Sequence, residues 1–472
     1  MPLSDREMIK TGIEKVTEYI FENKNAICTE TAREMAKMCL LDELGCCIYG
    51  SSVPEAKKIL RAMEAVHEKG KCSIWGTTAV VSPETAAFIN GSFCHMRELD
   101  DVHFAILHTG AVCVPTALAA AQIQNSEIKN LLDAIILGVE TAVRIAEGMD
   151  FLDHRERGWH GTSTIGTFGA AAAAGYLFGL GEEEMVNALG IAGSRTGGTW
   201  AFAADGAMTK RLHPGMAARD GMMAALLAKE GLRGPHYILE ARDGGIYRTM
   251  SSSWTLDNIN SPSKPAIEDI EFKWFASCKS VHSPFSAAEQ IYRRNPEKKP
   301  EDIQEIHVYV NRSAIEMAGG QYRPDSVISA QISIPYGVAL GLWGHTGTAE
   351  DYCENCLGRE GLRRTASLVK VEESQEMNKL RKNEKRSAAI VEVLWKDGSQ
   401  DRAFEKAPKG SIFNPLKRQD IIEKFYKLTQ PLIDRKDADK LCRFVMEAGE
   451  SEKISGLTAI MQEVTYGKGR IF

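Results

Sequence analysis

The chain has 472 residues, 44% hydrophobic and 25% charged, with a formal net charge of −6. Length predicts about three domains, and the mildly acidic balance excludes a protein that holds nucleic acid or an anionic membrane through its overall field. Any anion site must therefore be a local concentration of cations. No apolar stretch reaches the length of a membrane span, and eleven cysteines without framework spacing predict reduced, mostly buried thiols in a cytoplasmic protein.

The start, MPLSDREMIK, is charged and lacks the apolar centre of a signal peptide. The first helical signal is TETAREMAKMCLLDELGCCIYG, with Thr29 and Thr31 as candidate caps and Cys46–Cys47 in the core. CHMRELDDVHFAILHTGAV then packs Glu98, Asp100, Asp101, His103 and His108 into eleven residues. Metal binding, structural capping and acid–base work are all open to such a set. The spacing resists a metal, because no H-x-x-x-H or E-x-x-H places ligands on one helix face. LLDAIILGVETAVRIAEG reads as a mostly buried helix with Glu140 and Arg144 spaced for an i,i+4 pair. RGWHGTSTIGTFG offers His160, with Trp159 as an apolar wall and Thr162 or Ser163 as caps. A helix-start histidine of this kind also serves as a cap or core hydrogen-bond partner. The Ala/Gly-rich run that follows predicts the closely packed centre of a helical domain, not a phosphate loop, since no strand precedes it.

TKRLHPGMAA places Lys210, Arg211 and His213 before a helix that has Pro214 at its start. Cations oppose the helix dipole there. Either they splay into water, or an anion binds between them.

After residue 260 the texture changes. SPSKPAIED is a boundary segment, and FKWFASCKSVHSPFSAAEQ brings Lys273, Lys279 and His282 ahead of another helix. IQEIHVYVNR alternates as a strand, SLVKVE reads as another, and AAIVEVLWKDGSQDRAFEKA reads as a hairpin turning at Lys396–Ser399. AQISIPYGVALGLW places Tyr336 in an apolar segment where its hydroxyl needs a partner. Cys353 and Cys356 form a C-x-x-C without the second pair of a zinc ribbon. Charged SQEMNKLRKNEKR reads as a solvated helix or loop, and from Asn414 helical periodicity returns. The order helical, mixed, helical predicts an α+β unit inserted into a mainly α domain.

The blocks GWHGTSTIGTFGAAAAAGYLFGL, ALGIAGSRTGG and DGAMTKRLHPGMAARDGMMAALLAKEGLRGP closely resemble the MmgE/PrpD family, which includes 2-methylcitrate dehydratases, cis-aconitate decarboxylases and iminodisuccinate epimerases. The resemblance implies a helical domain of residues 1–267 and 412–472, an α+β lid of residues 268–411, a homodimer, and catalysis without metal or organic cofactor in a cleft between the domains. It also implies an active-site role for His108, His160, Lys210, Lys273 and Tyr336. The family's H-x-x-D-x-D-D-T appears as HMRELDDV, with Glu98 for its first aspartate and Val102 for its threonine. A histidine seen in the decarboxylases after the lid lysine aligns with Cys278, with His282 one turn on.

Carbanion chemistry beside carboxylates needs cations to neutralise the substrate and a proton donor–acceptor pair. Lys210, Lys273 and Tyr336, with Cys278 and His282 nearby, suit the first role. His108 and His160 suit the second, with Glu98 orienting a histidine or relaying its proton. The departures argue most against a standard cis-aconitate decarboxylase. The expected activity is dehydration of 2-methylcitrate or a related hydroxy-tricarboxylate. Epimerisation of an iminodisuccinate-like acid and decarboxylation of a cis-aconitate-like acid are the alternatives. A non-catalytic polycarboxylate-binding protein is the alternative from another class.

Overall fold

The computed structural model describes residues 10–66, 69–105, 107–261, 264–320, 326–464 and 466. Most of the charged start and Pro262–Ser263 of the boundary segment lie outside them. The fold is mainly helical, with small sheets.

Helix α1 (Glu30–Ser51) opens on Thr29, whose hydroxyl accepts the Ala32 N–H at 3.1 Å, so Thr29 and not Thr31 is the cap. Against it pack α2 (Pro83–Cys94), α3 (Gly110–Gln124) and α4 (Ile128–Glu147), and on these in turn lie α5 (Gly166–Phe178) and α6 (His213–Lys229). Ala-rich α5 lies against α3, α4 and α6, and Ala170–Ala174 are all buried, as the run of small side chains predicts. Three charged positions of α4, Asp133, Glu140 and Arg144, are inside too, whereas Glu147 is exposed. Arg144 donates to Glu140 at 2.8 Å, and Asp133 accepts from Arg33 at 2.8 Å and Lys129 at 2.7 Å.

The second layer is a four-stranded sheet of β1 (Ile303–Val310), β2 (Val369–Glu373), β3 (Ala389–Trp395) and β4 (Gln400–Glu405), in the order β2-β1-β3-β4. The β1–β2 pair is parallel and the others antiparallel. Register places Ile306 opposite Val393 and Val308 opposite Val391. This buried face packs with α7 (Lys279–Arg294) and α8 (Ile334–Leu342). The hairpin turns where expected, the Trp395 N–H meeting the Ser399 carbonyl at 3.0 Å. SQEMNKLRKNEKR contains a helix, Gln375–Glu384, but Arg381 is not simply solvated: its guanidinium lies 3.7 Å from the Phe104 ring centroid.

The chain then returns through α9 (Arg418–Thr429), which packs on α1 and inserts Lys424 against Asp42 at 2.7 Å. One hydrophobic core accordingly draws on residues from Ile13 to Phe272 and again from Leu416 to Val464, while a second is built from residues between Cys278 and Ala403.

Candidate active site

The loop from His95 to Thr109 joins α2 to α3 and is held from two sides. Val102 and His103 pair antiparallel with Ile270 and Glu271, which brings Lys273 under the loop. The 3₁₀ turn Met208–Leu212, entering α6, brings Lys210 and Arg211 from the other side. All three cations are buried, and all three close on Glu98: Arg211 at 2.7 Å, Lys273 at 3.0 Å, and Lys210 in direct contact. The cations before α6 therefore do not splay into water; the protein supplies one carboxylate to all three cations. Burial alone would raise the Glu98 pKa, but Lys210, Lys273 and Arg211 outweigh it and hold the carboxyl well below its usual range. Glu98 sits at φ 54, a left-handed conformation uncommon for a side chain of this size, and it is not a helix cap. Backbone strain of this kind persists where surrounding contacts over-determine it.

His108 lies one step along the loop. Its Nδ1 is 2.8 Å from the Asp101 carbonyl and 3.0 Å from Asp100 Oδ2. Both neighbours are acceptors, so Nδ1 carries the proton and Nε2 is left as the basic nitrogen. Asp100 Oδ2 also meets His95 Nδ1 at 2.8 Å. The Asp101 side chain caps the next helix, accepting the Gly110 N–H at 2.9 Å.

His160 opens the following wall. Its Nδ1 is 2.8 Å from His213 Nδ1, so the two rings hold one proton between them. Their centroids are 5.0 Å apart, and His108 and His160 are 6.5 Å apart. The apolar wall is Trp200 and Phe202, at 5.3 and 6.0 Å from His160; Trp159, expected there, is only half-buried. Thr162 and Ser163 do not cap His160's helical turn through their side chains. Thr162 instead accepts the His108 N–H at 3.2 Å, which couples the two histidine segments. Burial lowers the pKa of both His108 and His160. Lys273 reinforces the shift at His108, with Asp100 opposing, whereas His213 and Lys210 push His160 far below its ordinary value.

The chain matches the MmgE/PrpD N-terminal domain over residues 14–258 and the MmgE/PrpD C-terminal domain over residues 275–447. It belongs to the MmgE/PrpD family. It is 28% identical to the cis-aconitate decarboxylase of Aspergillus terreus, covering 91% of each chain. It is 27% identical to that of Homo sapiens, over 96% of this chain and 95% of the other. Similarity to the 2-methylcitrate dehydratase of Escherichia coli (strain K12) is 24%, over 75% and 74%.

Of the positions singled out in the MmgE/PrpD-like motifs, Glu98, His108, His160, Lys210 and Lys273 converge. Glu98 does so in a different way from that expected: the histidine it approaches is His95, at 3.4 Å, and Asp100 is the carboxylate that orients His108. Tyr336 is buried on α8 and donates to the Asp351 carbonyl at 2.9 Å. His282 packs on Phe275 and reaches the Ser277 carbonyl at 3.3 Å. Cys278 sits at the start of α7, its N–H meeting the Gln331 carbonyl at 2.8 Å.

Two connecting residues were not singled out from the sequence. His95 sits in H-x-x-E spacing with Glu98, which was the available signal. Gln331 accepts from Arg211 at 2.5 Å and donates to the Arg97 and Ala276 carbonyls at 2.8 Å each, and nothing local announces it.

Spacing resists a metal, yet Glu98 and His108 of that acidic and histidine-bearing stretch, joined by His95, offer ligand atoms within 4.8 Å of one another. The chemistry of this set is unfavourable for a divalent cation. The one carboxylate among the three is already surrounded by Lys210, Arg211 and Lys273, and a metal there would add like charge at close range.

Proposed function

We propose that this chain is a lyase that decarboxylates a small polycarboxylate of the cis-aconitate type, without metal or organic cofactor. The observation that carries the reading is the cation triad around Glu98 beside a histidine whose Nε2 is free to exchange a proton. Relatives named cis-aconitate decarboxylase, aligned over nearly the whole chain, favour this reaction over the dehydration expected from the motif departures. The Glu98 departure is a mild one, because the residue keeps a carboxylate at its position and uses it to fix three cations.

With Glu98 and Asp100 ionised and the buried histidines neutral, three cations face two carboxylates, so the site has an excess positive charge that suits a polyanion. Substrate carboxylates would lie against Lys210 and Lys273, which lowers the cost of placing further negative charge on the adjoining carbon. The bond to the departing carboxylate breaks, its electron pair forms a new C=C, and the former alkene carbon takes a proton. A bound polyanion also offsets the lysine field that depresses His108 and His160. A histidine that is neutral in the free protein thereby becomes able to carry that proton.

Dehydration of a 2-methylcitrate-like acid is the second reading, favoured by the E. coli relative over three quarters of the chain. Proton NMR in D2O, with chelator-treated protein and cis-aconitate, 2-methylcitrate, citrate and iminodisuccinate, separates the readings. Itaconate carrying one deuterium, formed equally with and without EDTA, is the expected result. An alkene appearing from a hydroxy acid would replace the proposal by dehydration, and exchange at an α-carbon with no new skeleton would replace it by epimerisation. No turnover of any acid, with citrate still bound, would leave a binding protein.

A further inference from the structure

The C-x-x-C segment lies outside the histidine and cation cluster, in a loop that follows α8. Cys353 precedes the single helical turn Glu354–Leu357 and Cys356 lies within it, and Cys353 Sγ is 3.3 Å from Cys356 Sγ, with the Cys353 thiol donating. The two sulfurs differ in surroundings. Cys353 is exposed, whereas the other ten cysteines of the chain are buried, so an oxidant in solution meets this sulfur first. Cys356 is buried and donates to the Glu350 carbonyl at 3.2 Å. Burial and the neighbouring Cys353 sulfur push the Cys356 pKa up to about 11, which keeps it a thiol until it is needed. An accessible attacking sulfur with a second sulfur in contact behind it suits thiol–disulfide exchange. A metal is disfavoured: among the described residues no His, Asp, Glu or further Cys completes a three-ligand set with the pair.

The loop is also tied to the cluster. Asp351 accepts the Gly347 N–H at 2.8 Å and, through its carbonyl, the Tyr336 hydroxyl at 2.9 Å. The Gly347 carbonyl accepts the Ala276 N–H at 2.8 Å, and the Ala276 carbonyl accepts Gln331, which holds Arg211.

We propose that Cys353 and Cys356 are a redox modification site, closing to a reversible disulfide by exchange with the disulfide of a small thiol. In the first step the Cys353 thiolate attacks one sulfur of the oxidant; a mixed disulfide forms and one small thiolate leaves. In the second, Cys356 attacks Cys353 Sγ, the internal S–S bond forms, the second small thiolate leaves, and the proton from Cys356 passes to it. Two protein thiols are oxidised and one small disulfide is reduced to two thiols. This inference does not rest on the proposed reaction.

The test equilibrates full-length protein in mixtures of reduced and oxidised glutathione, quenches with acid, alkylates with N-ethylmaleimide and maps the peptides by mass. As the oxidised fraction rises, the 353–356 peptide should lose both alkyl groups together and two hydrogens, with dithiothreitol restoring them. Cys356→Ser should trap one glutathionyl group on Cys353, and Cys353→Ser should leave Cys356 unmodified. Double alkylation in every mixture would overturn the proposal. So would wild-type protein that accumulates glutathionyl-Cys353 while Cys356 remains alkylatable.

Discussion

Removing the charge of Glu98 would leave Lys210, Arg211 and Lys273 buried around a neutral amide. Breaking a buried ion pair from one side costs about 3–5 kcal/mol, because the remaining charges stay desolvated. Glu98→Gln should therefore lower the unfolding free energy by about that amount in urea titrations, together with loss of turnover. A stability change below ~1 kcal/mol would mean that the triad is hydrated and not held as described. Asp100→Asn probes a different link. The amide can offer His108 Nδ1 an N–H instead of an acceptor, which favours the wrong tautomer. Turnover should fall ~10²–10⁴-fold with KM changed far less, since Lys210 and Lys273, the lysines proposed to meet the substrate, are not replaced; equal loss in KM would assign Asp100 to binding.

These two residues also mark how far the sequence could be read. The cluster from Glu98 to His108, the segment before α6 and Lys273 were all legible as chemistry-bearing. Which carboxylate faces which ring was not. Asp100 and Asp101 are neighbours, yet one gives His108 a side-chain oxygen and the other a backbone carbonyl, and spacing carries no information about that choice.

The central helices meet with almost no room between them. A Cβ on Gly169 of α5 would stand 2.7 Å from the Gly138 carbonyl oxygen of α4, 3.0 Å from Ala142 Cβ and 3.1 Å from Cys113 Sγ. The nearest of these is backbone, so the helix axes themselves would have to move. Overpacking of this kind costs about 1–3 kcal/mol, and Gly169→Ala should lower the urea midpoint by a matching amount despite the better helix propensity of alanine. A midpoint raised by the substitution would show that the helices separate easily. The close approach was foreseeable from the Ala/Gly composition, as the hairpin was from its Asp-Gly turn and β1 from its alternation. Elements of a few residues were not, among them the Met208–Leu212 turn and the Val102–His103 pairing. They are too short to carry a period and are fixed by the partners they meet.

On the scale of the whole molecule, the histidines decide the response to acid. His95, His103, His108, His154, His160, His213 and His282 are all buried, and burial lowers the pKa of each; His95 is pushed down to about 3, and His103, His154 and His213 to about 4. An unfolded chain protonates these side chains near 6.5. Between about pH 6.5 and pH 4 the unfolded state therefore binds protons that the folded state refuses, and stability falls as pH falls.

Asp42, Glu43 and Asp101 act with the opposite sign. Burial raises their pKa, that of Asp101 to about 7, so they stabilise the folded state in acid and lose that contribution as pH rises. Partial desolvation raises Glu147 and Glu240 as well, and among the described residues seven histidines against five carboxyls leave the histidine term dominant. Each uncompensated proton is worth about 1.4 kcal/mol per pH unit, so the urea midpoint should drop steeply from pH 7 to pH 5. Below that, Glu98 and Asp100, held well below the usual carboxylate range, must also be protonated for the chain to unfold, and they extend the loss. His213→Asn should flatten the upper part of this profile by removing one titrating ring, while a surface histidine such as His307, with its pKa raised by Glu372, should leave that steepness in place when replaced. A midpoint constant between pH 7 and pH 5 would mean either that the raised carboxyls cancel the histidines or that the imidazoles assigned as neutral are protonated in the folded protein.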